Sequence, residues 1–149
     1  METKQFNKTL YETCDPKGKQ VALQILSHFG YTLKDDSEAF KARDLIVTKD
    51  GKDIWVEAEC SPSWKTNYWP QHWDMTCPYR KSESKASLYI RTNANQTAAI
   101  VVPMLTVHSS PIIRKDTIYT KNEKFFNTAF SDCDFFDLSN IDKTKSRYI

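Results

Sequence analysis

The stretch from Asp44 to Glu59, DLIVTKDGKDIWVEAE, constrains this chain most. Two β-rich runs flank Asp50-Gly51. Asp-Gly is the dipeptide favoured in two-residue type I′ hairpin turns, because both positions need positive φ. So short a loop fixes the register of the strands it joins. Lys49 is then opposite Lys52, Val47 opposite Ile54, Leu45 opposite Val56, and Asp44 opposite Glu57. Side chains alternate along a strand. Leu45, Val47, Ile54, Val56, Ala58 and Cys60 therefore take one face, which is apolar. Asp44, Trp55, Glu57 and Glu59 take the other.

Three carboxylates gather at one end of that second face. Directly opposed residues have Cβ atoms about 5 Å apart. Two ionised carboxylates at that separation repel by about 3 kcal/mol at an effective dielectric of about 20. Glu59 stands about 7 Å further along the strand. A domain stable by about 5–15 kcal/mol does not keep this arrangement for packing. A divalent cation, a shared proton or neighbouring Lys and Arg would relieve it. Oxygen ligands on a rigid hairpin suit Mg²⁺ or Mn²⁺. The competing reading is a solvated face that carries its charges outward. Trp55 on the same face weighs against it, as do the cations Lys65, Arg80, Lys81 and Lys85 that follow.

The rest of the chain supplies a domain around the hairpin. Its 149 residues, 40% of them hydrophobic, suit one domain with a sizeable core. We place that domain at 1–141 and expect 142–149, with Lys143, Lys145 and Arg147, to be a flexible basic tail. Val21, Ala22, Ile25, Leu26 and Phe29 recur at helical spacing. The helix is expected over roughly 16–29, with Asp15 as cap, Pro16 in the first turn and Gly30 at the end. Met75 to Cys77, Leu88 to Thr92 and Ala98 to Val102 read as strands, the last buried on both faces. Tyr79 to Ala86 reads as a short helix after Pro78. Ile112 to Tyr119 and Cys133 to Leu138 are weaker strands, with a helix near Glu123 to Phe130 between them. The fold class is α/β or α+β, built on one sheet.

Several function classes drop out. A formal charge of +2 excludes a highly basic, histone-like binder. The three glycines are too scattered for a phosphate-cradling loop. The three histidines match no zinc-ligand spacing; His28 suits a helix C-terminus, and His72-Trp-Asp74 is too local to be a metal site. No apolar run approaches a membrane span, and the N-terminus lacks a signal-peptide pattern. No two of the four cysteines, Cys14, Cys60, Cys77 and Cys133, form a C-x-x-C pair, so reduced thiols and a cytoplasmic setting are expected. Trp64, Tyr68, Trp69 and Trp73 crowd one segment beside Lys65 and His72. Such a mixture suits base stacking. It also suits a hydrophobic cover over the sheet, the reading favoured for at least two of them.

An N-terminal helix, a strand carrying Asp, a tight turn and a strand carrying Glu resemble the PD-(D/E)XK nuclease superfamily, the restriction-endonuclease-like fold. The matching residues are Asp44 in Ala-Arg-Asp-Leu-Ile-Val and Glu57-Ala58-Glu59 in Trp-Val-Glu-Ala-Glu. Trp64 and the later Pro78-Tyr-Arg-Lys81 resemble a small phage-associated, uncharacterised group of that superfamily. The resemblance covers roughly residues 16–103. It implies a mixed central sheet flanked by helices, and a Mg²⁺- or Mn²⁺-dependent endonuclease acting on DNA, or on RNA, in the cytoplasm of an infected host cell. Asp44 and Glu57 would be metal ligands. The chain departs from the motif at its lysine, because position 59 is Glu. Glu59 would then be a further ligand, with Lys81 as the catalytic cation and Lys65 as second choice. Lys65, Arg80, Lys85, Trp64 and Trp69 would contact nucleic acid, and Gln20 or Gln24 would reach the site from the helix. Cutting both strands would call for a homodimer, although no residue specifies one. The alternative is a catalytically inactive member of the fold that binds nucleic acid or acts in phage assembly.

Overall fold

The computed structural model describes residues 8–35, 44–117 and 120–149, with backbone alone for 8–15, 35 and 44. The first element is helix α1, Lys8–His28. It begins before the expected start, and Pro16 lies inside it. A proline there removes one helical hydrogen bond, which is why the sequence pattern points to a start at Pro16. The C-terminus is as expected. Gly30 takes φ +89, with Gly30 N–H donating to Ser27 O at 3.1 Å and Tyr31 N–H to Leu26 O at 3.1 Å. This pair of bonds is a Schellman cap, which needs the left-handed residue that glycine supplies.

Strands β1 (Thr32–Asp35), β2 (Asp44–Lys49) and β3 (Lys52–Ser61) follow, the first not anticipated from sequence. The β2–β3 register is the expected one, from Lys49 opposite Lys52 to Asp44 opposite Glu57. Asp50 (φ 52) and Gly51 (φ 76) make the turn. Then come β4 (Met75–Pro78), a 3-10 turn over Tyr79–Lys81, β5 (Leu88–Asn93) and β6 (Ala98–Pro103). A short helix α2 (Met104–His108), β7 (Ile112–Lys115), β8 (Glu123–Thr128) and β9 (Asp134–Asp137) complete the described elements. A six-stranded sheet has the order β1-β2-β3-β5-β6-β9, and a three-stranded sheet the order β4-β8-β7. Only the β3–β5 pair is parallel among these. The fold is mixed α+β.

Two apolar clusters follow from the alternation of side chains. On one face of the large sheet, Leu45, Val47, Val56, Ala58, Ile90 and Val101 pack under Val21, Ala22, Ile25 and Leu26 of α1. On the other, Tyr89, Ala98, Ile100 and Val102 pack under Trp64, Met75, Cys77, Met104 and Phe126. β6 is thus buried on both faces, as its apolar run implied.

Several expectations are corrected, beginning with the single sheet, since β4, β8 and β7 form a second one. The helix expected over Tyr79 to Ala86 is a single 3-10 turn. The helix expected near Glu123 to Phe130 is β8, the central strand of the small sheet, where Phe126 faces Cys77 on one side and Ile112 on the other. Pairing on both edges overrides local preference there. The tail is docked rather than loose. Arg147 donates from Nε to Asp134 Oδ1 at 2.7 Å and from its backbone N–H to Oδ2 at 2.8 Å, and Tyr148 and Ile149 pack on the first cluster. A buried carboxylate demands such a partner, and Arg147 is the one the fold brings to Asp134. Of the strand expected over Ile112 to Tyr119, positions 118–119 lie outside the described residues.

Cys60 is disulfide-bonded, whereas Cys77 and Cys133 are free and buried. The expectation of reduced thiols is therefore corrected at Cys60. Spacing along the chain reveals C-x-x-C pairs but not cysteines that the fold brings together. The side chain of Cys14 lies outside the described residues. No helix among the described residues is long and apolar enough to cross a membrane.

Candidate functional site

The hairpin delivers its carboxylates to the face of the large sheet that the second cluster covers. Glu57 is 7% exposed, which excludes a solvated face as the account of that position. A carboxylate so placed needs hydrogen bonds or a counter-charge, and it has both. Lys81 Nζ donates to Glu57 Oε2 at 2.7 Å, and Ser84 Oγ donates to Oε1 at 3.2 Å. The same ammonium is 3.4 Å from Glu59 Oε1. Neighbouring cations thus relieve the repulsion between carboxylates among the described side chains. The side chain of Asp44 lies outside them, although its backbone pairs with Glu57.

Glu59 is held from its other side by β5. The parallel register sets Tyr89 beside Glu57 and Arg91 beside Glu59. Tyr89 donates its hydroxyl proton to Glu59 Oε2 at 2.7 Å. Arg91 Nη2 lies 3.3 Å from the same oxygen and 2.6 Å from the Tyr89 hydroxyl. Burial holds the Tyr89 hydroxyl well above its ordinary pKa. Burial opposes the charge of Arg91, but Tyr89 and Glu59 outweigh it and keep the guanidinium firmly protonated. Cys77 lies beside this group, and burial pushes its thiol up to about 12. Arg91 Nε is buried with no hydrogen-bond partner.

Lys81 is aimed by local geometry. Pro78 ends β4 with φ −56, and the 3-10 turn that follows leaves Arg80 exposed and Lys81 buried. His108 of α2 meets the Lys81 carbonyl through Nε2 at 2.9 Å. A carbonyl only accepts, so that nitrogen carries the proton. The turn is therefore pinned by its backbone while its lysine reaches into the sheet.

The expected site residues fall into two groups. Glu57, Glu59 and Lys81 are brought together, with the backbone of Asp44 opposite Glu57. Lys65, Arg80 and Lys85 are exposed. Trp64 is 1% exposed, and its Nε1 donates to Tyr68 O at 2.8 Å. Its ring is core, which corrects its assignment to nucleic acid. Trp69 stacks on Phe130 at 5.3 Å and meets Trp64 edge-on at 5.1 Å. It too belongs to the hydrophobic cover, the alternative that sequence favoured for at least two of these rings. Gln24 donates to Leu138 O, and Gln20 accepts from Gln96, so neither is placed on the carboxylates. Tyr89 and Arg91 were missed. The alternation of Leu88-Tyr-Ile-Arg-Thr already sets them on one face, but only the parallel pairing with β3 puts that face beside the carboxylates.

The donors present are carboxylate oxygens, the kind that Mg²⁺ and Mn²⁺ take. Glu57 and Glu59 would supply two and Asp44 the third. Among the described residues no group of three or more His, Cys, Asp or Glu is arranged to hold a metal ion. The fit is one of chemical kind, and it rests on Asp44 to complete the set.

Neither a protein-family model, nor a curated protein, nor a solved structure matches this chain.

Proposed function

We propose that this protein is a divalent-metal-dependent nuclease that hydrolyses phosphodiester bonds in DNA, of the PD-(D/E)XK kind. One observation carries the reading. Lys81 arrives from a turn outside the hairpin and sets its ammonium 2.7 Å from Glu57 and 3.4 Å from Glu59, beside the Asp44–Glu57 strand pair. The motif places a lysine where this chain has Glu59, and Lys81 supplies the missing cation from elsewhere. The mixed sheet with α1 on one face agrees with a restriction-endonuclease-like core. The three-stranded sheet on the other face is a departure from flanking helices.

In this reading Asp44 and Glu57 would hold Mg²⁺ or Mn²⁺, with Glu59 as a further ligand. A bound divalent ion polarises a phosphodiester and lowers the pKa of bound water. Lys81 leaves Glu57 for the scissile phosphate and offsets the charge that builds there. Tyr89 and Arg91 hold Glu59 in place meanwhile. The Arg91 guanidinium stays protonated throughout. Disulfides belong to oxidising compartments, so with Cys60 bonded the proposal carries no cytoplasmic or phage-infected setting with it.

A second reading has its own support. Both oxygens of Glu57 and both of Glu59 already have partners. A network so saturated suits an inactive member of the fold that binds nucleic acid. Titration calorimetry with Mg²⁺ and Mn²⁺, run beside plasmid nicking, separates the two. The nuclease reading expects metal-dependent nicking that Asp44→Ala and Lys81→Ala both abolish. Salt-dependent DNA binding without metal uptake or cleavage would replace it with the second.

A further inference from the structure

The parallel pairing of β3 with β5 begins only at Val56, opposite Leu88. β3 itself starts at Lys52, so Lys52 to Trp55 extend past the start of β5. β6 stops at the same level, because Pro103 is the partner of Leu88. The hairpin therefore projects beyond the two central strands and leaves a notch at that corner of the sheet. Tyr31, Ile54, Tyr148 and Ile149 around it pack on the first cluster, so the notch lies on the face away from the carboxylates. The docked C-terminus closes it into a cavity of about 460 Å³, within the range of about 300–1,000 Å³ for small-molecule sites. Its floor is apolar, made by Ile54, Leu88 and Pro103, and the half-buried rings of Tyr31 and Tyr148 line it as well.

The charges of this lining are unequal. Asp53 is paired with Lys34, and Arg147 with Asp134. The exposed ammonium of Lys52 has neither an ion pair nor a hydrogen bond among the described residues. It also stands opposite Lys49 across the hairpin, and like charges so placed repel. Lys49 in turn lies over one of the lining rings, its Nζ 5.6 Å from the centre of Tyr31. An anion in the cavity relieves that repulsion, and nothing among the described residues supplies one to Lys52.

We propose that this cavity binds a planar ring bearing an anionic group, the chemistry of a nucleoside monophosphate. The ring lies against the tyrosines and the apolar floor, and the phosphate meets Lys52. Stacking on an aromatic side chain and a charge-assisted contact are each modest alone, and the cavity offers both to one small molecule. The site is separate from the carboxylate cluster, and the proposal holds whether or not the protein cuts DNA.

The test titrates thymidine monophosphate, thymidine and inorganic phosphate separately into isotope-labelled protein in chelator, with backbone amides followed by NMR. The nucleotide should bind with a Kd below about 1 mM. It should shift the amides of residues 52–54, 87–88 and 147–149, which line the cavity. Thymidine and phosphate should each bind at least about tenfold more weakly, since each makes one of the two kinds of contact. Lys52→Ala should weaken nucleotide binding at least about fivefold and leave thymidine unchanged. Ser87→Trp, at an exposed position of the lining, fills the cavity and should abolish binding while its thermal midpoint stays close to that of wild type. Absence of nucleotide binding, phosphate bound as tightly as the nucleotide, or Lys52→Ala behaving like wild type overturns the proposal. So does a shift pattern centred on residues 57, 59, 81 and 91, which would assign the nucleotide to the carboxylate site. Nucleotide held in the cavity of a protein that nicks no plasmid upholds the proposal and removes the nuclease reading. Metal-dependent nicking by a protein that takes up no nucleotide there does the reverse.

Discussion

Lys81 Nζ lies 2.7 Å from Oε2 of Glu57, across a sequence separation of 24, with both side chains buried. Removing one partner of such a pair leaves a buried charge without compensation. Lys81→Met should cost about 3–5 kcal/mol in urea denaturation. Pairing it with Glu57→Gln should recover most of that loss, because a neutral amide needs no counter-ion. Strict additivity of the two single changes would show that the residues do not support each other.

Gly18 of α1 sits against the strand that carries the site. A Cβ there would lie 2.9–3.0 Å from the backbone C, Cα and N of Glu59. Alanine would gain about 1 kcal/mol of helix propensity. Overpacking against backbone costs about 1–3 kcal/mol, so Gly18→Ala should be destabilising on balance. It should also shift Glu59, seen as altered NMR signals for Tyr89 and Arg91. A more stable Gly18→Ala variant would mean that the helix has room the structure does not give it.

Alkaline pH should weaken the fold. Burial raises the thiol of Cys77 from 9.0 to about 12 and that of Cys133 likewise from 9.0 to about 12. The unfolded chain then releases protons that the native state keeps. The stabilising contribution is complete below about pH 9 and is lost progressively as pH climbs toward about 12. Urea midpoints measured through that window should fall more steeply for wild type than for Cys77→Ala. The same burial should leave both thiols unreactive to alkylation at neutral pH until the protein unfolds.

The docked C-terminus has one ion pair among its anchors. Arg147 meets a carboxylate, Asp134, that is 3% exposed. Arg147→Ala should release residues 143–149, read as faster hydrogen exchange there and along β9, with exchange in α1 unchanged. Protection that persists would assign the docking to the backbone N–H of residue 147 on Asp134 and to the contacts of Tyr148 and Ile149.

How much of this was legible in the sequence depends on how far apart the determinants lie. The β2–β3 register was fully legible, because Asp50-Gly51 fixes it within a few residues. The end of α1 at Gly30 and the doubly buried β6 were equally local. Lys81 was legible as one cation among several; only the 3-10 turn after Pro78 separates it from Arg80, which points outward. Tyr89 and Arg91 were hidden, since nothing in their own strand announces a parallel partner more than two dozen residues earlier. Trp64 and Trp69 look alike as sequence to surface aromatics, and what buries them is a layer made of β4, α2 and β8. The β8 strand itself was read as a helix because one of its partners, β4, is far off in the chain, and the hairpin with its other partner, β7, has no Asp-Gly turn to announce it.

The parallel β3–β5 pair has a consequence for how the molecule comes into being. Chain leaving Ser61 must travel back to the other end of β3 before Leu88 can pair, and Lys81 rides on that return. The hairpin can close early, because its contacts are short-range; the loop that brings the lysine closes against a larger entropic cost. During the interval Glu57 and Glu59 have no ammonium between them. The acidic row is therefore a source of frustration until the crossover docks, and Lys81→Met should leave the folding rate nearly unchanged while speeding unfolding by almost its whole effect on stability. A φ value near zero at Lys81, against a high one in the Asp50-Gly51 turn, is the kinetic signature of that order of events.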